Sequence, residues 1–114
     1  MAVVLLVEDD HVVRGALVRS LTDLGHTVHA VGTALDGLRR VASAPPDVIV
    51  LDLGLPDLDG ADALRMVRGM TDTPIIIATA RSDESEIVRL LRAGADDYMA
   101  VSYTHLTLPT IYSV

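Results

Sequence analysis

The chain has 114 residues, half of them apolar, enough to bury the core of one ordinary domain and too few for two. Sixteen acidic residues against nine basic ones leave a net charge of −7, and no basic run offers the electrostatic footprint that direct nucleic-acid binding needs. The absence of cysteine excludes disulfides and thiol catalysis, and no apolar run reaches the length of a secretory or membrane-spanning segment, so a soluble, cytoplasmic protein is expected.

The first predicted element is a strand, AVVLLV at 2–7, continuous in apolar residues and closed by Glu8, Asp9 and Asp10. Helical spacing follows, with Val12, Val13, Ala16, Leu17, Leu21 and Leu24 as one apolar stripe and Gly25 as a left-handed stop. TVHAV at 27–31 reads as a weaker strand. Thr33, with Asp36 three residues on, can open a helix carrying Leu35, Leu38, Val41 and Ala42, which must end before Pro45 and Pro46. DVIVLD at 47–52 is a second buried strand. Gly60 and Pro74 bracket a helix with Ala61, Leu64, Met66, Val67 and Met70 as its apolar positions, and PIIIAT at 74–79 is a third buried strand. Asp83 and Glu86 form a capping-box-like start to a helix that contains Ile87, Val88, Leu90 and Leu91 and ends at Gly94. A last strand lies near 98–101. Strict alternation of strand and helix predicts an α/β fold, a doubly wound, five-stranded parallel sheet with right-handed crossovers.

The final fourteen residues, VSYTHLTLPTIYSV, contain no Asp, Glu, Lys or Arg, and all 25 charged residues precede residue 101. An alternating domain should close here with an amphipathic helix, yet no apolar stripe is present and Pro109 interrupts the segment. The expectation is a domain at 1–100 whose fifth helix is missing or replaced, followed by an atypical, non-native tail at 101–114.

In a doubly wound sheet, ligands bind beyond the carboxyl ends of the strands where the strand order reverses. This chain places Glu8, Asp9 and Asp10 after the first strand, Asp52 at the end of the third and Thr79 at the end of the fourth. If the first and third strands are neighbours, Glu8, Asp9 and Asp52 converge. Three close carboxylates repel unless a cation neutralises them, and magnesium suits one or two carboxylates, waters and an incoming phosphate. Each acid taken alone has an ordinary explanation, Asp10 as a helix cap and Asp52 as the opening of the turn LGLPDLDG. Together they are hard to assign to turns.

LLVEDDHVVR, DVIVLDLGLPDLDG, PIIIATAR and LLRAGADDYMA, in this sequence order, resemble the successive signatures of response-regulator receiver domains over residues 2–100. The wording of LDLGLPDLDG, ARSDESEI and AGADDY is most similar to receivers that precede a winged-helix DNA-binding domain. The resemblance implies a flavodoxin-like sheet of order 2-1-3-4-5. It implies that Asp52 accepts a phosphoryl group from a phosphohistidine of a sensor histidine kinase, forming an acyl phosphate. It further implies that Asp9 and Asp52 bind Mg2+ through carboxylates, Gly54 through its carbonyl and Glu8 through water. Thr79 would hydrogen-bond a phosphate oxygen and move inward, with the Tyr98 ring changing rotamer alongside it, and any output domain that reads DNA would lie outside this chain.

The chain also departs from that pattern. After DDYMA the family has Lys then Pro, where this sequence has Val101 and Ser102, and all nine basic residues are Arg, so no lysine can substitute. Arg81 has a planar fork at a different position and is a poor stand-in. Weak phosphorylation signalling is therefore expected, and loss of the fifth helix would uncover apolar surface that favours aggregation or a compensating homodimer. Three other readings compete. A pseudo-receiver, a protein-binding module without phosphoryl chemistry, accords with the missing lysine and not with the complete acidic triad. An aspartyl-phosphate phosphatase would want a second Asp where Gly54 stands, and a nucleotide-binding module would need a Gly-rich loop where three acids stand. The histidines at 11, 26, 29 and 105 show no metal-ligand spacing.

Overall fold

The computed structural model describes residues 1–79 and 84–100. Their elements alternate along the chain as β1 (Val3–Val7), α1 (His11–Asp23), β2 (Thr27–Val31), α2 (Ala34–Ser43), β3 (Val48–Asp52), α3 (Gly60–Met70), β4 (Ile75–Thr79), α4 (Glu84–Ala93) and β5 (Asp97–Ala100). All pairings are parallel, in the order β2-β1-β3-β4-β5. The expected α/β architecture and strand order are therefore observed. Expectations about Arg81, Asp83, Val101, Ser102, a fifth helix and the tail concern residues outside those described.

Successive strand side chains point to opposite faces, so the runs VVLLV and VIVLD are divided between two layers. Leu5, Val7, Ile49, Leu51, Ile75 and Ile77 meet the buried sides of α2, α3 and α4, including Leu38, Val41, Leu64, Val67 and Leu90. On the other face Val4, Leu6, Val50 and Ala78 meet Leu17, Val18 and Leu21 of α1. Among the described helices, α1 is the one whose side chains enter that second layer.

Helix ends follow the sequence signals. Asp10 caps α1, its carboxylate accepting from the Val12 and Val13 amides at 2.9 and 3.0 Å, and the Thr33 hydroxyl accepts from the Asp36 amide at 3.1 Å at the start of α2. Gly25 and Gly94 have φ of +96° and +130°, and the paired bonds that follow, Gly25 N to Thr22 O with His26 N to Leu21 O and Gly94 N to Leu91 O with Ala95 N to Leu90 O, close both helices as Schellman caps.

The expected apolar stripes need correction. Val12 and Leu24 are 55% and 74% exposed, and Leu35, Met66, Met70 and Val88 are also exposed. Ala42 is exposed as well. A helix buries only the arc that the sheet reaches, and each stripe included residues just beyond that arc.

Candidate metal centre

β1 and β3 are adjacent, and the chain leaves them in opposite directions along the sheet, toward β2 and toward β4. The gap at their carboxyl ends is the place where this topology leaves room for a ligand. Glu8 continues β1 by one residue, its amide donating to the Val31 carbonyl at 3.0 Å, and Asp52 is the last residue of β3. Ligand oxygens of Glu8, Asp9 and Asp52 all lie within 4.8 Å of one another. The convergence inferred from an assumed β1–β3 pairing is therefore present.

The three acids differ in environment. Glu8 is 5% exposed, Asp52 is half-buried and Asp9 is exposed. Burial pushes the Glu8 carboxyl up to about 8, and the negative charge of Asp52 and a hydrogen bond to it push the same way. Asp52 is also raised, first by burial and further by the charge of Asp9, against the lowering effect of hydrogen bonds from Glu8 and from the Gly54 and Leu53 amides. Protonation of one member of the Glu8–Asp52 pair would relieve the repulsion. A hard cation would do the same with oxygen ligands, so the donor set suits one.

Neighbouring residues fix this group. The Asp10 amide donates to Glu8 Oε2 at 3.3 Å, and Arg14 Nη1 donates to the Glu8 carbonyl at 3.0 Å while its Nη2 lies 2.7 Å from His11 Nδ1. Arg14 therefore anchors the Glu8 main chain without approaching its carboxylate through any of these bonds. His26 Nδ1 accepts from the Ala2 amide at 3.1 Å, an ordinary structural role. Asp52 pairs in register with Ala78, which places Thr79 at the same end of the sheet; the Thr79 side chain lies outside the description. Tyr98, opposite Ile77 on the edge strand β5, is 43% exposed, as a half-buried strand aromatic would be.

Two residues that the sequence reading passed over organise the scaffold. Asp57, in the loop after β3, accepts from the Ala34 and Leu35 amides, both at 2.9 Å, and these bonds hold its carboxyl below the usual range. Arg68 gathers the far end of the sheet, donating to the carbonyls of Gly94, Thr71 and Thr73 and to Asp96 Oδ2 at 2.7 Å. No local pattern announces either residue, because the partners of Asp57 lie 22 and 23 residues away and those of Arg68 up to 28.

Fold and sequence agree with known proteins. The chain belongs to the response regulator receiver domain family, whose model matches residues 4–108. It is 44% identical over 99 residues to the transcriptional regulatory protein KdpE of Mycobacterium tuberculosis, covering 87% of this chain and 44% of that one. It is also 44% identical over 97 residues to the response regulator MprA of the same organism, covering 84% and 42%. The chain thus spans less than half the length of these relatives. Among solved structures, a Francisella response regulator receiver domain superposes with a TM-score of 0.84 at 25% identity, covering 98% of this chain and 95% of that one. The beryllofluoride-activated N-terminal receiver domain of Klebsiella pneumoniae RstA gives 0.83 at 25%, with 96% of each chain covered. It is a receiver of the two-component type, a signalling domain. No described helix is long and apolar enough to cross a membrane.

Proposed function

We propose that Asp52 accepts a phosphoryl group from a phosphohistidine on a sensor histidine kinase, beside a Mg2+ ion held by Glu8, Asp9, Asp52 and the Gly54 carbonyl. The observation that carries this reading is the convergence of three carboxylates at the reversal point of the sheet, with Glu8 pushed up to about 8. A bound magnesium ion would neutralise phosphoryl oxygens and the surplus negative charge of the cluster. A carboxylate oxygen of Asp52 attacks phosphorus in line as the imidazole nitrogen leaves, which yields the acyl phosphate and a neutral histidine. Phosphoryl transfer asks little covalent help of a protein beyond placement, and the Leu53 and Gly54 amides favour the ionised form of the attacking carboxylate.

Thr79 then donates its hydroxyl to a phosphate oxygen, and Tyr98 follows by changing rotamer. The signal passes to an output domain in a longer protein, one that binds DNA in the manner suggested by the transcriptional role of KdpE. Val101 supplies neither charge nor donor where the family has lysine, so the phosphorylated state is formed slowly and read weakly. The test is NMR of the chain with beryllofluoride and Mg2+. Occupancy at Asp52, abolished in Asp52→Asn and by chelation, with shifts at Thr79 and Tyr98, is expected. An unchanged spectrum, or one that changes equally in Asp52→Asn, would overturn the assignment.

A further inference from the structure

Seven residues, 53–59, connect Asp52 at the end of β3 to Gly60 at the start of α3. The loop touches the acidic site at its start, where a Cβ added at Gly54 would lie 3.5 Å from Asp52 Oδ2 and where the Leu53 and Gly54 amides lower the Asp52 carboxyl against the effect of burial. Its far end is folded back so closely that a Cβ added at Gly60 would lie 2.6 Å from Leu53 Cα, so only glycine permits the approach. Leu55 is buried and Leu58 partly so, while Asp57 is exposed and turned toward α2.

The Asp57 carboxylate spans the Ala34 and Leu35 amides, two first-turn donors that have no acceptor inside the helix. Thr33 serves a different amide, that of Asp36. The positive end of the helix dipole strengthens the attachment of a carboxylate there. α2 is in turn seated hard against β1, since a Cβ at Gly37 would meet Val7 Cγ2 at 3.0 Å. Val7 is the residue before Glu8. Asp57 therefore ties the loop leaving β3 to the frame that carries Glu8 and Asp9, across the two strand ends that share the acidic cluster.

We propose that Asp57 is a positioning residue for this site, its carboxylate on the α2 N-terminus fixing the 53–59 loop and through it the Asp52 carboxylate and the Gly54 carbonyl. The inference rests on the reading of Glu8, Asp9 and Asp52 as a cation site. Residues that hold metal ligands in place from behind typically contribute about 10- to 100-fold to affinity. Asp57→Ala is accordingly expected to weaken Mg2+ binding about tenfold. Asp57→Asn, with one acceptor oxygen left for two amides, should fall between it and the parent.

Calorimetric titration of Mg2+ into the parent chain, Asp57→Ala, Asp57→Asn, Asp62→Asn and Asp9→Asn tests this, with circular dichroism verifying the fold of each variant. Asp62 is an exposed acid on α3 paired with Arg65, so its variant measures the effect of losing one surface charge. A positioning effect persists at about 0.5 M KCl, where the Debye length falls to roughly 4 Å, whereas long-range attraction does not. Parent-like Mg2+ affinity in both Asp57 variants, alongside loss of binding in Asp9→Asn, would overturn the role of Asp57 and leave the cation site standing. Undiminished binding in Asp9→Asn would overturn the cation site itself. If Asp57→Ala does not fold, Asp57→Asn decides alone: weaker binding at high salt supports the role, and parent-like binding refutes it.

Discussion

At the scale of single residues, the decisive feature is a carboxyl that holds its proton near neutral pH. Glu8 is raised from 4.5 to about 8 by burial and by Asp52, so the folded chain binds more protons than the unfolded one between those values. Its contribution to stability is fully present below about 4.5 and is lost as pH rises through about 8. In EDTA, urea unfolding should therefore show stability falling by on the order of 2 kcal/mol between pH 5 and pH 8.5. Glu8→Gln, a neutral isostere, should flatten that slope. Saturating Mg2+ should restore stability at the alkaline end, because the ion binds the deprotonated cluster and releases the proton. A flat profile in the parent, or the same slope in Glu8→Gln, would show that Glu8 is not the group responsible. Asp10 sits two residues from Glu8 and has a different task. Its helix-capping role was legible in the sequence because a cap acts over two or three residues.

At the scale of elements, Arg68 joins pieces that local patterns leave separate. From α3 it reaches the turn before β4 and the carbonyl of Gly94 after α4, and it shares Asp96 Oδ2 with the Ile75 amide, which donates at 2.8 Å. The planar guanidinium serves four acceptors at once, which a lysine ammonium cannot match. Arg68→Ala leaves these carbonyls without their donor and should cost about 2 kcal/mol or more in chemical denaturation. Arg68→Lys should recover less than half of that loss. Full recovery by lysine would mean that charge alone matters there. The caps at Gly25 and Gly94 were readable for the opposite reason, since a glycine just past a periodic stretch reports a local backbone requirement. Val12, Leu24 and Leu35 misled because an apolar residue at helical spacing says that a stripe exists without saying how wide an arc the sheet covers.

At the scale of the whole molecule, the described helices divide unequally between the two faces of the sheet. Three helices pack one face, and among the described residues α1 packs the other, over Val4, Leu6, Val50 and Ala78. The sequence of 101–114 carries no amphipathic stripe, and self-association of the chain is the expected consequence. Light scattering across a concentration series should show self-association, reduced when a charged amphipathic helix is grafted after residue 100. A concentration-independent monomer with a single cooperative melt would count against this.

The sequence by itself determined the alternation of elements, their caps, and the carboxylates at strand ends, because periodicity, capping chemistry and turn residues act within a few positions. It also carried the resemblance to receivers, through short signatures in a fixed order. Only the tertiary structure decided that β1 lies against β3, and hence that Glu8, Asp9 and Asp52 share one site and that burial pushes the Glu8 carboxyl up. It alone decided that Asp57 caps α2 and that Arg68 closes the opposite end. These depend on pairings across more than twenty residues, and no local propensity encodes which distant backbone amide or carbonyl a side chain will meet once the sheet has formed.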